Sequence, residues 1–85
     1  MYKVTFQKQA QRTLLKMPRN YALRIREKIE QIAEDPYAPH NNVTKLQNRP
    51  GYRLRVGDWR VIYDIQDNEL ILRVIKIAPR GEVYQ

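Results

Sequence analysis

Four arginines and a tyrosine carry the chemistry this sequence offers. Arg53, Arg55 and Arg60 fall within "YRLRVGDWRVIYDI", residues 52–65, and Arg80 and Tyr84 follow in "PRGEVY". Guanidinium is a planar fork of donors that suits phosphate oxygens. An aromatic ring beside such cations suits a stacked base, a pairing that single-stranded RNA recognition uses. The chemistry these residue types suggest is the gripping of a nucleic-acid backbone phosphate.

The elements that position them follow from spacing. Residues 52–65 alternate apolar and polar, and Gly57-Asp58 is a two-residue connection with glycine where a type II′ turn requires it. Such a turn fixes the register: Val56 pairs with Trp59, Arg55 with Arg60, and Leu54 with Val61. Leu54, Val56, Trp59 and Val61 then share the core face, and Arg53, Arg55 and Arg60 share the other. Opposed residues lie about 5 Å apart at Cβ. Two unit charges at that distance repel by roughly 0.8 kcal/mol even in bulk water. Two readings fit: a phosphate cradle, whose anion reverses the sign of the repulsion, or surface charges that protect a sheet from edge-to-edge association. If the last strand pairs with the second hairpin strand, Arg80 joins the same patch.

Elsewhere the pattern is simpler. Residues 2–6 alternate as a short strand. Phe6, Ala10, Leu14 and Met17 form an apolar stripe on a helix over 7–17 that Pro18 closes. Asn20 is the expected N-cap of a second helix running to about Asp35, with Ala22, Ile25, Ile29, Ile32 and Ala33 inward. Residues 36–50 hold three prolines and three asparagines without period, and read as a loop. Strands over 51–56, 59–65 and 69–77 follow. The order β-α-α-β-β-β predicts an α+β fold, a helical hairpin on one face of a small, mainly antiparallel four-stranded sheet.

Composition narrows the function. An 85-residue chain fits a single domain over residues 1–85, burying about 60–65% of the surface its unfolded form exposes. Sixteen lysines and arginines against nine acids give +7, which points to a polyanionic partner. With no cysteine, disulfides, thiolate metal sites and a cysteine nucleophile are excluded. The lone His40 lies in the proline-rich loop and reads as solvated, so a structural zinc site is not expected, nor is a cofactor. No apolar run approaches the ~20 residues needed to span a membrane, and the N-terminus lacks the apolar core of a signal peptide. The expectation is a cytoplasmic protein. Glu82 reads as a surface charge and Asp58 as a turn residue.

"KLQNRPGYRLRVGDWRVIYDI" together with "VIKIAPRGEVY" resembles the RelE/ParE superfamily of bacterial toxins, most closely its RelE-type branch. The resemblance implies a toxin that enters the ribosomal A site and cuts mRNA there, by attack of the 2′-hydroxyl on the adjacent phosphate, without a metal. The residues it implies for that work are Arg55, Arg60, Arg80 and Tyr84 in catalysis, with Arg53, Arg55, Arg60 and Arg80 on the phosphates. It also implies an acidic, RelB-like antitoxin as partner, besides ribosome and mRNA.

There are departures. Arg53 and Arg55 stand where well-known members often carry lysine, and arginine is a poor proton acceptor. Pro79 stands where many relatives have a histidine. Some relatives add a further helix beyond the point at which these residues stop, Gln85. Tyr84 fits two roles, base for the 2′-hydroxyl or stacking platform. The ParE-type branch shares the fold but inhibits DNA gyrase, and a non-catalytic RNA-binding module would use the same cations.

Overall fold

Residue 17 precedes a proline, and that sequence fact divides the helical layer. In the computed structural model, which describes residues 1–82, helix α1 (Lys8–Lys16) ends where Met17 takes an extended backbone, ψ 164°. Pro18 forces this by crowding the residue before it out of the helical region. Helix α2 (Arg19–Glu34) then starts one residue ahead of the expected Asn20 cap. Pro18 occupies the cap position, and its carbonyl accepts the first bonds, from the N–H groups of Tyr21 (3.0 Å) and Ala22 (3.2 Å). The proline's missing N–H costs nothing there.

The strands are β1 (Lys3–Phe6), β2 (Val43–Lys45), β3 (Tyr52–Val56), β4 (Trp59–Gln66) and β5 (Ile71–Pro79). They form one sheet in the order β1-β5-β4-β3-β2, in which β1 runs parallel to β5 and the other pairs are antiparallel. The sheet thus has five strands and not the four expected. The correction lies in the 36–50 loop, where Val43-Thr44-Lys45 pairs with Tyr52–Leu54 as an edge strand. Three residues carry no detectable alternation, and such a strand exists only because β3 offers it a ladder. The last strand also begins later and runs further than 69–77. A 3-10 turn over Asp67–Glu69 and a left-handed Leu70 (φ 54°) delay its start.

One face of the sheet carries the main core. Ala10, Leu14, Met17, Ile25, Ile29, Ile32 and Ala33 of the helical layer pack on Leu54, Val56, Val61, Tyr63, Leu72, Val74 and Ile77. Both helical stripes face inward as their spacing predicts, and Trp59 packs at the margin of this core. The other face is not bare. It holds a second, small apolar cluster of Leu46, Ile62 and Ala78, joined by Ile75. A β-bulge at Ile62/Tyr63 shifts the β4–β5 register so that Ile62 opposes Lys76 while Tyr63 opposes Val74. The extra residue, Ile75, reaches the second cluster.

Two details fix the far end of β5. Beyond Phe6 the β5 edge has no strand neighbour, and the Gln9 carboxamide takes that place. Its Nε2 donates to the Ile77 carbonyl at 2.9 Å, and its Oε1 accepts from the Ile77 N–H at 2.9 Å. On the other side, the Arg80 N–H donates to the Asp58 carbonyl at 2.7 Å. This ties the residue after the strand to the β3–β4 turn.

Candidate functional site: an arginine groove

The β3–β4 hairpin adopts the register read from its turn: Val56 opposite Trp59, Arg55 opposite Arg60, Leu54 opposite Val61. Gly57 has φ 57° and Asp58 does not have a positive φ, as a type II′ turn demands. Strand alternation then places Arg53, Arg55 and Arg60 on the face away from the helices. β5 adds Ala78 beside Arg60, and the Arg80–Asp58 bond carries the chain on past Pro79 into the same region.

Arg53, Arg55, Arg60 and Arg80 line one groove of about 520 Å³, with Asn42, Thr44 and Gly81 completing it. No carboxylate and no histidine lines it among the described residues. Farther along the same face the electrostatics differ. There Arg73 meets Asp64 in a two-pronged pair, Nη2–Oδ2 2.6 Å and Nε–Oδ1 3.1 Å, and its charge is matched.

Arg60, like Arg53, is half-buried. Its Nη1 donates to the carbonyls of Gly57 and Trp59, each at 3.0 Å, so the guanidinium is anchored against the turn. These bonds use the donors of Nη1 out of five N–H groups in all. Burial, and then the charges of Arg55, Arg80 and Arg53 in that order, push its pKa below the ordinary arginine value, with Asp58 acting the other way. The guanidinium nevertheless stays protonated in proteins. Its positive charge is therefore held at a place that penalises it, and an anion in the groove would relieve that penalty.

Arg55 is exposed and oriented from β2's side. Its Nη2 donates to Asn42 Oδ1 at 2.8 Å, and its backbone N–H donates to the Asn42 carbonyl at 2.9 Å. Asn42 sits in the left-handed region, φ 66°, which asparagine tolerates better than most residues. Asn42, Thr44 and Gly81 are the groove residues that sequence pattern missed. The one available signal was the pair Asn41-Asn42 before a β-branched pair, a turn into an extended segment.

The sequence candidates therefore separate. Arg53, Arg55, Arg60 and Arg80 are brought together. Tyr84 lies outside the described residues. His40 lies elsewhere, its Nε2 2.7 Å from the Asp35 carbonyl. Such a groove can bind a backbone phosphate and stabilise charge that develops on it. It contains no described group suited to accept a proton at neutral pH.

Comparison with known proteins bears on the fold and the family. Residues 4–84 match the family described as the ParE toxin of type II toxin-antitoxin system, parDE. A protein of Escherichia coli described as RelE-like is 22% identical, over 98% of this chain and 90% of its own length. Among solved structures, the archaeal RelE–RelB complex from Pyrococcus horikoshii matches with 29% identity and a TM-score of 0.79, covering 96% of this chain and 98% of that one. The isolated E. coli RelE toxin matches with 24% identity and a TM-score of 0.80, covering 99% and 92%. The two helices on a mixed sheet are the RelE fold. With a family match over nearly its whole length, this chain belongs to the RelE/ParE superfamily of type II toxin–antitoxin toxins.

Proposed function

We propose that this toxin is a ribosome-dependent endoribonuclease that cuts A-site mRNA by attack of a 2′-hydroxyl on the adjacent phosphate. The observation that carries this reading is the convergence of Arg53, Arg55, Arg60 and Arg80 on one groove free of described carboxylates. Transesterification places negative charge first on the phosphorane oxygens and then on the leaving 5′-oxygen. Arg55 and Arg60 hold the scissile phosphate and neutralise the phosphorane. Arg80, tied to the turn beside them, stabilises the leaving 5′-oxygen, which takes a proton from water as its bond to phosphorus breaks, and Arg53 holds a neighbouring phosphate. The guanidiniums supply the charge stabilisation that a divalent ion supplies in other nucleases.

Arginine does not accept the 2′-hydroxyl proton. Tyr84 fills that role or stacks on a base, and alignment of the mRNA by the ribosome supplies the in-line geometry. A cytoplasmic site of action follows from the substrate. The partner is an antitoxin of RelB type, acidic enough to cover four cations; the archaeal relative's structure is a complex with RelB.

The test is an in vitro translation reaction read by primer extension. Cuts inside the A-site codon, lost in Arg60→Ala and Arg80→Ala, support the reading; intact mRNA under translation arrest contradicts it. A variant that binds ribosomes without cutting separates catalysis from mere RNA binding. A second reading, gyrase inhibition, is favoured by the family description, which names ParE. Pulse-labelling after induction separates the two. Immediate loss of protein synthesis supports the nuclease, and a DNA-damage response with translation intact supports the gyrase inhibitor.

A further inference from the structure

A second cavity, of about 480 Å³, adjoins the arginine groove. It is formed by Thr44, Lys45, Leu46, Gln47, Arg49 and Arg53. Thr44 and Arg53 line both cavities and oppose each other in the β2–β3 ladder. The two cavities are thus one depression, divided by that pair of side chains.

Their chemistry differs. The groove is walled by four arginines; the second cavity is also bordered by cations, Lys45, Arg49 and Arg53, but the surface it exposes is mainly apolar. Leu46 is its floor, only 9% exposed and backed by Ile62, Ala78 and Ile75. Leu46 is held there by its N–H, which donates to the Gly51 carbonyl at 3.0 Å. Gly51 itself has φ 113°, and a Cβ on it would lie 2.9 Å from the Tyr63 carbonyl oxygen, so the support is closely fitted. Gln47, exposed at the rim, brings an amide donor and acceptor, and Thr44 brings a hydroxyl.

A ligand matched to this depression carries phosphate at one end and a flat, mostly apolar group with polar edges at the other. A nucleotide has that polarity, whereas a plain polyanion has nothing to place on Leu46. We infer that the second cavity is a nucleobase subsite, receiving the base attached to a phosphate held in the arginine groove. Leu46 is the surface beneath the ring and Gln47 the group that reads its edge. The inference rests on the RNA-directed reading of the groove and adds to it where sequence preference is set.

The test uses the whole, isotopically labelled chain and two-dimensional NMR. The probes are ribose 5-phosphate and the four ribonucleoside 5′-monophosphates. All five should shift the Arg55 and Arg60 amides, but only the nucleotides should shift those of Thr44, Leu46 and Gln47. The best-bound nucleotide should exceed ribose 5-phosphate in affinity on the order of tenfold. Gln47→Ala should narrow the spread among the four nucleotides, and Arg60→Ala should weaken all five probes. Equal binding of ribose 5-phosphate and nucleotides, or silent Thr44–Gln47 amides, overturns the inference. Responding amides without cuts in translation would sink the nuclease reading and leave the subsite standing. Cuts with silent amides would do the reverse.

Discussion

Arg55 and Arg60 stand directly opposite each other in the β3–β4 ladder, like charges in register. Each is held in place, Arg55 by Asn42 Oδ1 and Arg60 by the carbonyls of Gly57 and Trp59. The bonds that hold them prevent the two side chains from relieving their repulsion by free rotation. The pair therefore gains most from an anion between them. Inorganic phosphate should raise the melting temperature of the wild type, as ligand binding to the native state requires. The gain should shrink in Arg55→Ala. Calorimetric melting across a phosphate series checks this, and equal shifts in both proteins would contradict it.

RNA binding should depend steeply on salt. Four arginine–phosphate contacts to a single strand predict a slope of log K against log salt of about −3, at roughly 0.7 per contact. Arg80→Ala should reduce its magnitude by about 0.7. Fluorescence anisotropy on a short single-stranded RNA over a salt series measures both slopes.

Cleavage should respond more sharply than binding. Removing one preorganised charge that acts on the transition state costs on the order of 10²–10³ in rate. Arg60→Ala should show at least that loss in single-turnover cutting on programmed ribosomes. Arg60→Lys should recover only part of it, because a lysine cannot reproduce the fork held by Gly57 and Trp59.

A carboxylate clasp at the opposite end of β4 makes stability pH-dependent. Asp67 accepts from Tyr37 Oη at 2.6 Å and from Tyr2 Oη at 2.8 Å. The Tyr37 bond and then the Tyr2 bond hold the Asp67 pKa below its ordinary value. With the folded pKa depressed, this contribution is present above the unfolded value, about 3.9, and is lost as pH falls through the folded one. Tyr37 moves the other way. The Asp67 bond, with smaller contributions from desolvation and charge, raises its pKa to about 12. Its contribution is complete below pH ~10 and is lost between there and about 12. Asp67→Asn should flatten both limbs of the stability profile. Denaturant melts across pH, with tyrosinate absorbance for the alkaline limb, test this.

Tyr63 is fully buried, stacks on Tyr52 with ring centroids 5.4 Å apart, and its hydroxyl finds no partner among the described residues. Burial pushes its pKa far above the ordinary tyrosine value. An unpaired buried hydroxyl carries its desolvation cost without return. Tyr63→Phe should therefore match or exceed the wild type in thermal stability. A loss of more than about 1 kcal/mol would mean that the hydroxyl has a partner.

How much of this was legible in the residues alone depends on the range of the forces involved. The hairpin register needed only a two-residue turn with glycine first and a period of two. Both are local, so the Arg55–Arg60 opposition and the inward set Leu54, Val56 and Val61 could be read directly. The helical stripes were legible for the same reason. Their ends were less so, because Pro18 displaced Asn20 as the start of α2 by a backbone effect rather than a side-chain cap.

Strand β2, the second apolar cluster and the meeting of Arg80 with the hairpin were decided by tertiary structure. Three residues of strand carry too little pattern to be read, and gain their hydrogen bonds only by pairing with β3, the next strand of the chain. Leu46 is apolar within a stretch that reads as loop, and only the bulge at Ile62/Tyr63 brings Ile75 to pack against it. Arg80 reaches the groove because Gln9 and Asp58 hold the two sides of the β5 end. Local geometry dictated which arginines oppose each other, and long-range pairing dictated what surrounds them.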